Sequence, residues 1–295
     1  MGSSIDDVPT VPRSPRRPGT TVPPSDPVRG PRRPAATNPA APTGSQAVSR
    51  ALGVLHCFRD NGTPLSASDL ARRTSLSVST AHRLARTLVA AGFLEQDAHT
   101  ARYRLGPAVT ELGQLSYHQR GLHLTVPELA DLAARTGATA DLALRDGVHA
   151  LILVGGSVRH DTGIGLRRPL HSTALGKVLL AWSGDDPDPV GALPGLAAFT
   201  ERTIVDPDAL RTELARVRER GHAVNDGESA LGIRTVAVPV FDHTERARFA
   251  LALRATPAVL TDDRLPWFAD QARACAAALE VLLLPPVERR PAAGP

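Results

Sequence analysis

The chain carries one lysine, Lys177, among 295 residues, one methionine, two cysteines and only 3% aromatic residues. Cys57 and Cys275 are too few for a cysteine metal cluster or a disulfide scaffold, and they fit a reduced compartment. No apolar run approaches the roughly 18 to 20 residues of a membrane span. The first residues also lack the apolar block of an export signal. A soluble, cytoplasmic protein with no membrane partner is expected. Catalytic signatures are missing as well. There is no Gly-x-Ser-x-Gly nucleophile turn and no histidine pair at metal-binding helical spacing. The nearest phosphate loop, ending in Gly176-Lys177, fails because Val178 follows and His171 stands where its first glycine belongs. His149, His160 and His171 are read as unrelated histidines. No metal, cofactor or catalytic residue is therefore expected, and the chain is not read as an enzyme.

What is present divides unevenly. Residues 1–105 hold 14 arginines against 7 acids, a net of +7, whereas residues 106–295 hold 20 basic against 23 acidic residues, a net of −3. Residues 1–45, rich in proline, arginine and small side chains, read as a disordered tail, and so do residues 286–295. A 42% hydrophobic content over this length suffices for two cores.

The positive half contains a recognisable pattern over residues 66–105. Ser66 and Asp69 form a capping box before a short helix that buries Leu70 and exposes Arg72 and Arg73. A turn at 74–76 precedes a second helix over 77–91, capped by Ser77 and stopped by Gly92. Ala81, Leu84, Leu88 and Ala91 lie at the spacing of one buried stripe. The other side presents Ser79, Thr80, His82, Arg83 and Arg86 without a single acid. Residues 93–97 and 101–105 are short extended runs about a polar turn, with Arg102 and Arg104 on one side. Together these predict a winged helix-turn-helix that contacts double-stranded DNA through Arg72, Arg73, Ser77, Ser79, Thr80, His82, Arg83, Arg86, Arg102 and Arg104. A helix over 47–58, burying Val48, Ala51, Leu52, Leu55 and Phe58, completes this domain at 46–105.

A linker helix is expected within 106–121, with Val109, Leu112 and Leu115 on a stripe suited to a second subunit. Residues 122–285 then change from helices to strands. Helices are expected at 125–136, 174–182, 206–221 and 262–284. Strands are expected at 138–144, 149–154, 223–225, 235–241 and 247–255, with a turn at Arg145-Asp146-Gly147. An antiparallel sheet flanked by helices fits this order, so the fold class is α+β.

The segments PLHSTALGKVLLA, TERTIVDPDALRTELARVRERGHAVNDGE and ALGIRTVAVPVFD resemble the effector domain of IclR-type transcriptional regulators. SRALGVLHCF and LSASDLARRTSLSVSTAHRLARTLVAAGFL resemble that family's DNA-binding domain, in the same order. The resemblance covers about residues 46–285. It implies a GAF-like ligand-binding domain, a homodimer or homotetramer, a palindromic operator and control by a small metabolite. It places Arg168, Ala174, Leu175, Asn225, Thr235, Ala252 and Arg254 in the effector pocket, where the hydroxyls of Ser172 and Thr173 at the helix start add further candidate contacts. Ser172 and Thr173 can also be read simply as caps of the helix that follows, and the alternation in LALRA leaves Arg254 facing either inward or outward. Family members for small keto acids carry Asp, Cys, Ser and Ser where this chain has Asn225, Thr235, Ala252 and Arg254. The departures, and the likeness of NDGESALGIRTVAVPV to the branch controlling aromatic-acid catabolism, imply a larger organic acid. An enzyme acting on a small acid, with an appended DNA-binding domain, is the alternative.

Overall fold

The computed structural model describes residues 43–59, 63–159, 166–184 and 186–291. The tail expected at 1–45 lies outside the described residues up to position 42, and residues 292–295 lie outside them too. The first compact region has three helices, α1 (Thr43–His56), α2 (Ala67–Thr74) and α3 (Val78–Ala90), followed by a hairpin of β1 (Leu94–Gln96) and β2 (Tyr103–Leu105). Its local chemistry follows the sequence closely. The Asp69 amide donates to Ser66 Oγ and the Ser66 amide to Asp69 Oδ2, both at 3.1 Å, closing the capping box. Ser77 Oγ accepts the Thr80 amide at the start of α3. Gly92, at φ +75°, takes the left-handed conformation that releases the chain into β1. Val54, Phe58, Leu70, Ala81, Ala85, Leu88, Leu94 and Tyr103 form the core.

Two expectations for this region are corrected. Val48 and Leu52 are 59% and 49% exposed, because α1 packs inward through its last turns, with Val54, Cys57 and Phe58. On α3, Ala85 replaces Ala91 in the buried stripe, since the helix ends at Ala90 and Ala91 is its exposed C-cap. The linker helix α4 (Pro107–Gln119) buries no residue, and Leu112 and Leu115 are each 52% exposed.

A short 3-10 turn at Leu122–Leu124 leads into α5 (Thr125–Thr136), then β3 (Thr139–Asp146), β4 (His149–Gly155), α6 (Gly156–Arg159), β5 (Arg167–Pro169), α7 (Ala174–Ala181) and α8 (Pro207–Arg220). Strands β6 (Ala223–Asp226), β7 (Arg234–Phe241) and β8 (Ala247–Ala255) precede α9 (Leu265–Leu283). The six strands form one sheet in the order β5-β4-β3-β8-β7-β6, with every pair antiparallel. The β3–β4 turn is Gly147-Val148, not Arg145-Asp146-Gly147. Asp146 pairs with His149, and Gly147 at φ +61° supplies the left-handed residue of a two-residue loop. Residues 286–291 are not a free tail. Pro286–Glu288 form a 3-10 turn, the Glu288 carbonyl accepts the His243 amide, and Arg290 Nη2 reaches Glu280 Oε1 at 2.6 Å.

The two faces of the sheet differ in side-chain size. Leu142, Val236, Val238, Val240, Leu251 and Leu253 face α5 and α9, whereas Ala143, Ala150, Ala237, Ala250 and Ala252 face α7. Small residues let α7 lie close to the sheet, so all eight of its residues are buried. Gly176 permits the tightest approach: a Cβ there would stand 2.2 Å from the Leu170 carbonyl oxygen. Lys177 is also sealed in, at 1% exposure, with Nζ 2.5 Å from Glu228 Oε1 and 3.4 Å from Glu213 Oε1. Such a pair holds two elements together only while both partners remain. Gly176→Ala should destabilise the protein by about 3 kcal/mol in urea unfolding, because backbone rather than a flexible side chain must yield. A loss below about 1 kcal/mol would show that α7 can shift freely.

Candidate functional site

The helix-turn-helix presents its expected surface residues unequally. Ser79, His82, Arg83 and Arg86 are exposed along α3. The Ser77 hydroxyl is occupied with its cap, accepting the Thr80 amide and bonding Thr80 Oγ1 at 2.8 Å. Four of the six arginines have protein partners. Arg72 Nη2 bonds Asp69 Oδ1 at 2.8 Å, and Arg73 Nη1 bonds the Cys57 carbonyl at 2.7 Å. Arg102 Nη1 reaches the Pro64 carbonyl at 2.9 Å, and Arg104 Nε bonds Glu95 Oε2 across the wing at 2.7 Å. Arg86 makes only a long contact of 3.4 Å to Gln96 Oε1, which ties α3 to the wing. The Arg83 guanidinium has no partner among the described residues. Exposed ion pairs of this kind are weak and exchange readily with other anions. Arg83 and Arg86 are the least constrained of the six by protein partners among the described residues. Ser66 holds the Asp69 carboxyl down at a pKa of about 2, so the box that orients α2 stays charged far below neutrality.

The nine residues expected in the pocket line a single cavity of about 370 Å³ between the alanine-rich face of the sheet and the start of α7. The strand register explains their convergence. Asn225 pairs with Thr235, Thr235 with Arg254, and Arg254 with Thr139, which sets them in one row across four strands. Ala250, Ala252 and Arg254 share a face by strand alternation, so Arg254 points into the cavity. Arg168, on the edge strand β5, lines the opposite wall. Burial pushes its guanidinium below the ordinary value; the Arg254 charge pushes the same way and the Asp141 carboxylate opposes both. Arg167 also lines the cavity but is ion-paired with Asp146.

The polar groups have different duties. Thr173 Oγ1 accepts the Gly176 amide at 3.1 Å and donates to the Pro169 carbonyl at 2.7 Å, so its hydroxyl is the cap of α7. Asn225 spends its amide on structure, donating to Ser229 Oγ at 2.7 Å and accepting the Glu228 amide at 2.8 Å. Ser172 differs: its Oγ is buried with no hydrogen-bond partner among the described residues. A buried hydroxyl of that kind is costly unless a ligand satisfies it. Ala174, Leu175 and Ala252 contribute apolar wall, together with Ile152, Phe199, Ala230 and Ile233.

Sequence reasoning missed Asp141, Ser157, Phe199 and Ser229 among the lining residues. The adjacent glycines at 155 and 156 were the one available signal for Ser157. Of His149, His160 and His171, two lie among the described residues. His171 Nε2 lies 2.9 Å from the Ala197 carbonyl, His149 lies beside Arg167, and His160 is outside the described residues. No group of three metal-ligating side chains occurs among the described residues, and none of their helices is long and apolar enough to cross a membrane.

Comparison with known proteins accounts for both parts. Residues 47–98 match the model of the IclR helix-turn-helix domain, and residues 118–281 match that of the bacterial transcriptional regulator IclR C-terminal domain. The HTH-type transcriptional regulator XynR of Escherichia coli K12 is 34% identical over 241 residues, covering 79% of this chain and 95% of XynR. The HTH-type transcriptional repressor AllR of Salmonella typhi is 32% identical over 79% of this chain and 88% of its own length. Among solved structures, an IclR regulator from Alicyclobacillus acidocaldarius superposes with a TM-score of 0.72 at 27% identity, over 81% of this chain and 99% of that one. An IclR homologue from Microbacterium hydrocarbonoxydans, complexed with 4-hydroxybenzoate, gives 0.69 at 25% identity, over 80% and 98%. The chain belongs to the IclR family of bacterial transcriptional regulators, with an N-terminal helix-turn-helix domain for DNA and a C-terminal effector-binding domain.

Proposed function

We propose that this regulator acts in the cytoplasm, without catalysis, by binding a palindromic operator as a homodimer or homotetramer, and that a small organic acid in the cavity shifts its operator affinity. The observation that carries the effector reading is the division of the cavity. Arg168, Arg254 and the unpartnered Ser172 hydroxyl gather polar donors, while Ile152, Leu175, Phe199 and Ile233 supply apolar wall. A carboxylate accepts bidentate contacts from a guanidinium, and an apolar body fills the remainder. A volume of about 370 Å³ suits an acid with one ring better than one of two or three carbons. The Microbacterium homologue binds such a molecule, 4-hydroxybenzoate. The acid acts by shifting the population of assemblies whose half-site spacing matches the operator.

The assembly reading rests on exposed leucines. Val48 and Leu52 of α1 and Leu112 and Leu115 of α4 are solvent-facing, and a groove between these helices is lined by Leu52, Leu55, Phe58, Phe93, Val109 and Leu112. Contiguous apolar surface of this kind marks an association face. Light scattering after size exclusion should show a smaller assembly for Leu112→Glu/Leu115→Glu than for the parent chain; an unchanged mass would remove α4 from the interface.

On the DNA side, Arg83→Ala should weaken operator binding by roughly 1 to 3 kcal/mol, whereas Arg104→Ala should weaken operator and unrelated DNA alike. An unchanged footprint for Arg83→Ala would refute the base-reading assignment. On the effector side, a thermal-shift screen of metabolite acids should find stabilising carboxylates, with the shift reduced in Arg254→Ala and Arg168→Ala. Stabilisation confined to neutral compounds would overturn the anionic reading.

A further inference from the structure

The cavity contains a three-residue hydrogen-bonded chain. Ser157 donates its amide to Asp141 Oδ1 at 2.9 Å and its hydroxyl to Asp141 Oδ2 at 2.6 Å. Arg254 Nη2 donates to Ser157 Oγ at 3.0 Å. The direction is fixed by chemistry. An ionised carboxylate only accepts, a hydroxyl has one proton, and a guanidinium only donates, so the order must be Arg254 to Ser157 to Asp141. Asp141 and Ser157 are both buried, so little solvent competes with these bonds.

The backbone is built to allow this contact. Gly155 has φ +133°, in the region that favours glycine, and a Cβ there would fall 2.6 Å from Asp141 Oδ1 and 2.2 Å from the Ala140 carbonyl oxygen. A Cβ at Gly156 would fall 2.6 Å from Thr139 Cγ2. The β3–β4 register also slips between Leu142 and Ala143, just before the chain turns into α6. Two glycines and a bulge together bring Ser157 down onto Asp141.

We propose that Asp141 and Ser157 are positioning residues for the effector, the Ser157 hydroxyl standing between carboxylate and guanidinium so that Arg254 keeps its remaining donors turned to an incoming carboxylate. The proposal rests on the reading of the cavity as an organic-acid site. Asp141 and Arg254 lie on the adjacent strands β3 and β8, two residues apart along the register, since Asp141 pairs with Ala252. Without the intervening hydroxyl the guanidinium can fold onto Asp141 in a direct ion pair, which uses the same planar fork that a ligand carboxylate requires.

The test uses the full chain and isothermal titration with benzoate, 4-hydroxybenzoate and phenylacetate as acid probes and benzamide as the neutral one. Ser157→Ala should weaken whichever acids bind the parent protein by about tenfold, the loss of one charge-assisted hydrogen bond. Ser157→Thr, which keeps the hydroxyl, should remain within about twofold. Benzamide should respond equally to all of these proteins, a split between acid and amide that mere loosening of the fold does not produce. If Arg254→Ala loses the acids while Ser157→Ala retains them, the positioning role is wrong and the acid site stands. If no acid binds the parent protein, or Arg254→Ala binds them as tightly, the acid-site reading falls and the positioning role with it.

Discussion

The effector domain depends on one steric constraint, the unequal thickness of the two faces of its sheet. Leucines and valines on one side support α5 and α9 at ordinary packing distance, while alanines on the other let α7 descend until only a glycine fits beside Leu170. A close-packed interior cannot absorb a large residue on the thin side without moving the helix. The same thin face, continued beyond the start of α7, is where the cavity opens. Ala252 and Arg254 on β8 mark that passage, one flooring the approach to α7 and the other entering the open space. The pocket is thus a consequence of side-chain volume before it is a matter of charge.

Much of this was legible in the chain because local rules act where tertiary context adds little. Ser66, Ser77, Asp206, Gly92 and Gly221 punctuate helices as their side chains or flexibility dictate, and the β8 range was readable from composition and alternation. Failures came where two faces competed. In α1, apolar residues occupy both sides, and periodicity cannot say that Val54 is core while Val48 and Leu52 are left for another surface. The Gly147-Val148 turn was misplaced because Asp146 resembles a turn residue, yet it pairs in the strand with His149. At the site, the row of Asn225, Thr235 and Arg254 was predicted from a family resemblance, but their division of labour was not. No spacing rule tells that Thr173 and Asn225 spend their polar atoms on the backbone and on Ser229 while Ser172 has no partner among the described residues.

The DNA-facing surface shows a similar separation between charge and availability. Arginines are plentiful over α2, α3 and the wing, but several are held by Asp69, Glu95 or main-chain carbonyls. Those contacts preset side-chain directions, so the ordering of these long side chains is already achieved in the folded protein. Arg83 and Arg86, at successive turns of α3, are less constrained by protein partners. Asp69 sits at the centre of this arrangement, joining the cap of α2 to Arg72 and Arg102.

Lys177 gives the surface an unusual chemical character. The sole lysine of the chain is closed inside between Glu213 and Glu228, so no lysine amine is offered to solvent. Writing enzymes that acetylate or conjugate lysine find no accessible lysine side chain on the folded protein, and amine-directed cross-linkers find no lysine to attack either. The positive surface charge is carried by guanidinium groups, which neither acylate readily nor titrate in the physiological range. This regulator's attraction for nucleic acid is consequently insulated from lysine-based modification.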